Sequence, residues 1–489
     1  MLHASFVTYE EFGAVGDGKT DDQRAIVAAH AAANQRRQSV RATPGKTYYI
    51  GKGAATAVIK TDVDFTGAKF IIDDVGVANR GIPVFRVESD AKPVPVKGVA
   101  SIPLGAQRLG ITLASPALLI AVNDKERNYI RYGLNQNNGS PHREVFLVDA
   151  AGRICQRTPV TLPFNTVTSL TAYPIDKRPL VIRGGVFTTV ANQWQSQYAY
   201  HNRGFSIHRS NVRVTGMTHL VTGELDHGAP YAGFLNIGTC ANVTVENCVL
   251  TAHRTYKTIG SAGKPVSMGS YDISVSSAAR ISFINCRQTT NIHDRRYWGI
   301  FGSNFCKDLL FDRCTFSRFD AHMGVANATI LNSTLGYMGI NAIGFGTFRI
   351  ENTTVCGGSF INLRNDYGCT WHGDFIIRNC TFKPRNPNRA AIISGNYNGK
   401  HNFGYPCHMP RRVIIDGLTI DDRRRKAKAR PPAVFGNINP ADRPGAPADP
   451  YPYHVTEELT LRNIKLTSGA QLRISDNAHM FRNTKVKRK

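Results

Sequence analysis

Between Cys286 and Asn341 the sequence crowds together side chains that exchange protons or bind anions: His293, Asp294, Arg295, Arg296, Tyr297, Arg318, Asp320, His322 and Asn341. Asp, His and Tyr can act as general acids and bases, and Arg offers a fixed positive fork for a carboxylate. Two chemistries use such a set. Hydrolysis of a glycosidic bond needs two carboxylates, one of them protonated. Asp294 with Asp320, or Asp320 with Asp366, are the candidate pairs, with His322 placed beside Asp320 to orient or tune it. β-Elimination on a uronic acid needs Arg295, Arg318 or Arg364 on the substrate carboxylate and His293, His322 or Tyr297 as the base. The aspartates rank hydrolysis first. Tyr256, Tyr297 and Trp298 offer faces for sugar rings, and Glu224 and Asn341 offer polar contacts. The plain alternative is a ladder of ion pairs that only blunts repulsion between stacked strands.

Something must hold these residues in a row, and a repeat does. Short apolar-alternating strands recur from 179 onward, most ending in Asn, Asp or Gly and then a small residue: Val243–Cys248, Ile281–Cys286, Leu310–Cys314, Ile330–Ser333, Phe348–Thr353, Phe375–Cys380, Leu459–Asn463. One strand per coil, stacked in parallel, places like residues over like. Asn at a strand end tolerates the left-handed turn and can bond its neighbours in the stack. Cys248, Cys286, Cys314 and Cys380 then fall at one buried position as small hydrophobes. The expected architecture is all-β, a parallel β-helix. Residues 1–95 form its N-terminal cap and first coils, 96–178 a small β-hairpin insertion, and 179–489 the main β-helix with C-terminal loops.

Coil length and strand parity then locate a trough. The coils starting at Cys314 and Ser333 are the shortest, about 20 residues each, and longer-looped coils flank them. In Phe319–Met323 the alternation sends Phe319, Ala321 and Met323 inward and Asp320 and His322 outward. An outward Asp320 predicts that Asp320→Asn abolishes activity in a folded protein. Counting a constant offset from each repeat anchor lines up Glu224, Tyr256, Asp294, His322 and Asn341 as a polar column, which Ile361 breaks. Asp294 is in conflict, because Ile292 and Trp298 imply that it faces the other way; a β-bulge there would resolve it.

The N-terminal stretch Phe12-Gly13-Ala14-Val15-Gly16-Asp17-Gly18-Lys19-Thr20-Asp21-Asp22, running into Ala25-Ile26, reads as a strand, a glycine turn and a helix capped by Thr20 with Gln23 at the capping-box position. It resembles the "FGAxGDGxTDDxxAI" segment of the pectate-lyase-like superfamily of right-handed parallel β-helices, where it covers the N-terminal end of the coil stack. The resemblance implies that fold and a carbohydrate-active protein. It does not choose among lyases, hydrolases, epimerases, tailspikes and adhesins. The ordered N-T-D, D-D, G-H-G and R-I-K segments of the polygalacturonase-type members are missing, so no catalytic role carries over.

Composition bounds the rest. The 489 residues carry 60 Lys and Arg against 35 Asp and Glu, a net charge of +25. Such a field favours an acidic partner. The expected partner is a polysaccharide, acidic ones included, ahead of nucleic acid, for which no motif is present. The ten cysteines show no C-x-x-C and no paired H-x-x-x-H spacing, so neither metal nor cofactor is expected. No apolar run is long enough for a membrane helix. Met1–Ser5 lacks an apolar signal region, which leaves an intracellular protein, or a secreted or periplasmic one whose signal has been removed. A tailspike-like member would be a homotrimer. The resulting reading is a polysaccharide-degrading enzyme, glycoside hydrolase first and lyase second, with a non-catalytic carbohydrate-binding spike as the rival.

Overall fold

The computed structural model describes residues 6–134, 136–195, 200–364, 367, 371–395, 407–449 and 453–488. Its strands wind into a right-handed parallel β-helix with three ladders along its length. In the first ladder Ile182, Val214, Val245, Phe283, Phe311, Ile330, Ile350, Ile377, Ile415 and Leu461 pair in succession, and all are buried. One inward apolar residue per coil therefore makes a continuous core column, so the stack is held by burial along its whole axis. Aromatic stacking reinforces the early coils: Phe70 lies over Phe187 and Phe85 over Phe205, each at 4.6 Å.

After each first-ladder strand the chain turns through a left-handed residue. Asn247, Asn285, Asn332, Asn352, Asn379 and Asn463 all hold φ between 48 and 52°. Asn suffers less than other L-residues there, and its side chain bonds along the stack. Asn285 Nδ2 donates to Asn247 Oδ1 at 2.6 Å and Asn352 Nδ2 to Asn332 Oδ1 at 3.1 Å. The cysteines beside these turns are buried, and every cysteine among the described residues is a free thiol.

The helix Gln23–Arg36 covers the first coils with Ala25, Ile26, Ala29, His30 and Ala33. Its N-cap is Asp22, not Thr20, which lies in the strand Asp17–Asp21. Asp22 is pulled there because its carboxylate accepts from the Val15 and Gly16 amides, at 2.7 and 3.2 Å, closing the glycine turn. A separate four-stranded antiparallel sheet is built from Val94–Pro95, Ala117–Asn128, Ser140–Val148 and Ser169–Pro174. It is fastened to the coils by a buried ion pair, Lys307 Nζ to Glu144 Oε2 at 2.5 Å, and by Arg157 on Asp308 at 2.6 Å.

Candidate active site

Three successive coils build a pocket just beyond the stacked strands Thr218–Thr222, Val249–Leu250 and Arg287–Gln288. Strand Thr218–Thr222 stops at Gly223, whose φ of 69° turns the chain and delivers Glu224. On the next coil Val249–Leu250 leads to His253–Arg254. This pair forms a small antiparallel ladder with Tyr297–Gly299 of the third coil, Arg254 opposite Tyr297. Glu224, Arg254 and Tyr297, joined by Thr251, Thr289 and Thr290, line a cavity of about 430 Å³.

Beneath it runs a buried polar chain. Thr189 Oγ1 is 2.9 Å from His219 Nε2, and His219 Nδ1 is 2.7 Å from Asp272 Oδ1. The same oxygen lies 3.3 Å from His253 Nε2, while His253 Nδ1 is 2.9 Å from Glu224 Oε1. Both nitrogens of His253 thus face carboxylates, which only the imidazolium satisfies, by donating from both. Burial by itself would lower the His253 pKa, but Glu224 and Asp272 override it and lift it to about 9. Burial would likewise raise Asp272, yet His219 and His253 hold it at about 2. Tyr256 OH donates to Glu224 Oε1 at 2.8 Å and the Arg254 amide to Oε2 at 3.0 Å. Burial and then the Glu224 charge push the Tyr256 phenol up, so it stays a donor. The Glu224 side chain, 8% exposed, is therefore held by three donors at the floor of an open pocket. Among the described residues the Arg254 guanidinium has no ion-pair partner and the Tyr297 hydroxyl no hydrogen bond.

The charge on His253 links the site to stability. Its folded pKa lies above the unfolded value of about 6.5, so its contribution is complete below that pH and is lost as pH rises through about 9. Wild-type melting temperature is expected to fall across that alkaline window. That of His253→Gln should start lower and change less, as differential scanning calorimetry at a series of pH values will show.

The residues of the trough sort differently from their parity. Asp320 does leave the core face, but it is 0% exposed. Arg364 Nη1 grips both of its oxygens at 3.0 Å, and Arg318 Nη2 holds Oδ2 at 2.5 Å. Burial would raise its pKa, but the two guanidinium groups and then His322 take it below the ordinary carboxylate range. Sealed from solvent and gripped by two guanidinium groups, Asp320 has no open face for substrate, so it does not supply the acid or nucleophile expected of the trough. The constant-offset column also fails. The ladder pairs Asp320, not His322, with Asn341 and then Asn362, because the register shifts between Phe316 and Arg318. Asn341 spends its amide on Met338 O and accepts from Asn362. His322 bonds Asn304 Oδ1 through Nδ1 at 2.8 Å and Tyr367 OH through Nε2 at 3.3 Å.

Asp294 lies in a turn rather than a strand, which removes the parity conflict. It is locked by Arg296 Nη2 at 2.6 Å and held below its usual pKa by that hydrogen bond. His293 and Arg295 are exposed in the same turn. Trp298 does not offer a free face to a sugar: Arg318 lies 4.9 Å over its ring, and Gly269 backs it so closely that a Cβ there would sit 2.1 Å from Nε1. Tyr256 is buried in a hairpin under Glu224 instead of standing on the groove floor. Asp366 lies outside the described residues.

The pocket thus unites Glu224, Tyr256 and Tyr297 from the expected set with His219, His253, Arg254 and Asp272, which the sequence reading passed over. One signal for them was present. His219 pairs with Phe187 in an inward column, and a histidine where the repeat wants an apolar residue demands buried partners.

No protein-family model matches the chain. A depolymerase of a Klebsiella phage, specific for the KL64 capsule, is 26% identical over 162 residues, which is 27% of this chain and 16% of that protein. The match therefore spans well under a fifth of that relative's length. Among solved structures, the tailspike gp61 of Pseudomonas phage phi297 superposes with a TM-score of 0.55 at 14% identity, covering 95% of this chain and 81% of that one. The tailspike gp49 of Pseudomonas phage LKA1 gives 0.51 at 15% identity, with 98% and 84% covered. At these identities the likeness is one of fold.

Proposed function

We propose that this chain, which carries the right-handed parallel β-helix of the pectate-lyase-like superfamily, is a polysaccharide-cleaving enzyme of the capsule-depolymerase kind whose chemistry takes place in the Glu224 pocket. One observation carries the reading. A carboxylate held by three donors, one of them an imidazolium, shares an open pocket with a guanidinium that has no ion-pair partner and a phenol that has no hydrogen bond among the described residues.

That arrangement suits β-elimination better than hydrolysis. Arg254 would bind the carboxylate of a uronic acid and stabilise the charge that spreads onto it in the transition state. Glu224 would take the C5 proton as that C–H bond breaks. The C4–O bond would then break as the C4–C5 double bond forms, and Tyr297 would give its proton to the departing oxygen. The net charge of +25 favours such an acidic polymer. Hydrolysis through the aspartates has less support. It needs a protonated carboxylic acid, and arginines hold both Asp320 and Asp294 below the usual carboxylate range.

Incubation with a panel of bacterial capsular and other acidic and neutral polysaccharides distinguishes the outcomes. New reducing ends together with ultraviolet absorbance from a C4–C5 double bond are expected. Reducing ends alone would mean hydrolysis. Neither, across polymers that the protein binds, would leave a carbohydrate-binding spike.

A further inference from the structure

We infer that a second cavity, at the root of the inserted sheet, is a binding site for a neutral sugar unit. It measures about 390 Å³, within the range of small-molecule sites. It lies where the chain leaves the β-helix after Phe85–Val87 and returns to it before Leu180–Arg183. Glu88, Lys92 and Tyr173 come from these two limbs, and His208, Ser210 and Thr239 from the turns of the coils below. This site does not depend on cleavage at Glu224.

The walls are set in advance. Pro93 and Pro174 stiffen the two limbs where they line the cavity. Ser89 Oγ donates to Asp176 Oδ1 at 2.7 Å across them, and Arg209 Nη1 holds the same oxygen at 3.1 Å. His208 is fixed by Ser206 Oγ, 2.9 Å from Nε2. Ser210 Oγ accepts from the Ala241 amide at 3.0 Å, which leaves its proton to donate.

The chemistry of the lining selects the ligand. Glu88 lies 3.4 Å from Arg86 and Asp176 is paired with Arg209. Burial holds the His208 imidazole below its usual pKa. Lys92 is a lone exposed cation at the rim. Asp176 is matched by Arg209, so the carboxylate left to line the centre is that of Glu88, which accepts from hydroxyls and repels an acidic sugar. What faces it are the short hydroxyls of Ser210 and Thr239, the carboxylate edge of Glu88, and the Tyr173 ring with its phenol. Vicinal hydroxyls satisfy such a mixture of donors and acceptors, and the apolar face of a pyranose fits an aromatic ring.

Saturation-transfer NMR with methyl glycosides of glucose, galactose, N-acetylglucosamine and glucuronic acid tests the site. A neutral glycoside should receive saturation from the wild type and equally from Glu224→Gln/Arg254→Ala. Glu88→Gln should weaken its binding about tenfold, the effect of one good hydrogen bond to a charged group, and Tyr173→Ala should abolish it. Thr239→Asn suits the left-handed backbone there, φ 54°, and should weaken binding with melting temperature unchanged, which separates lost contacts from lost fold. Transfer to the glucuronide alone would overturn the neutral class. No transfer to any sugar, or transfer indifferent to Glu88 and Tyr173, would mean the cavity is only a gap at the hinge of the insertion.

Discussion

Glu224→Gln is expected to lower kcat/KM for polysaccharide cleavage by about 10²–10⁴-fold, the usual share of a general base, in a protein that still folds but melts below the wild type, because His253 loses one of its two carboxylate partners. The amide keeps the shape of the carboxyl, and its one oxygen can still accept from Tyr256 and His253 on the Oε1 side, while its NH2 replaces the Oε2 that accepts from the Arg254 amide. What disappears is the anion, and with it the capacity to take a proton. His253 then keeps a single carboxylate partner, Asp272, so its pKa should drop from about 9, which the pH titration of its ring protons by NMR will report. The pair of readouts matters. Lost cleavage with a lowered His253 pKa and an intact fold places Glu224 in the chemistry. Wild-type cleavage despite the shifted histidine would remove the pocket from consideration. Arg254→Lys keeps the charge without the planar fork, so it should raise KM more than it lowers kcat.

Asp320→Asn is expected to fail in another way, by losing stability. The substitution would leave Arg318 and Arg364 facing each other with no anion, Arg318 being almost fully buried. Removing one partner of a buried ion pair costs about 3–5 kcal/mol, because the remaining charge is stranded. The midpoint of urea unfolding should fall accordingly, and soluble yield with it. Replacing Asp320 and both arginines together by apolar residues of similar size should cost much less, since no charge is stranded. The same knot sets an acid limit. The folded pKa of Asp320 is depressed, so its stabilisation is present above the unfolded carboxylate value of about 4 and is lost as pH falls below it. A well-folded Asp320→Asn protein that had lost cleavage would return Asp320 to the chemistry.

These two expectations exchange the roles that strand parity alone would assign, and the reason is physical. Alternation along Phe319–Met323 reports only that Asp320 leaves the core face. Whether that side chain then meets water or a roof depends on Arg318, Trp298 and Arg364, which come from three different coils. The register error had a similar origin. A constant offset from the Asn anchors assumes unbroken pairing, and the shift between Phe316 and Arg318 moves Asp320 opposite Asn341 in place of His322.

What the sequence by itself determined is whatever repeats locally. The inward apolar alternation, the left-handed Asn at each turn, the buried cysteines beside it and the N-terminal glycine-rich segment are short-range preferences, and stacked in parallel they leave one architecture. Tertiary structure alone decided the site. Glu224 follows a turn on one coil, Arg254 stands on the next, and Tyr297 reaches both only through an antiparallel pairing of two very short strands that no periodicity announces. Even the donors that hold Glu224 come from outside its own coil, His253, Arg254 and Tyr256, with Asp272 behind His253. Such contacts join residues distant in sequence, and burial, which sequence pattern reports only as a face, fixes which of them carry a proton.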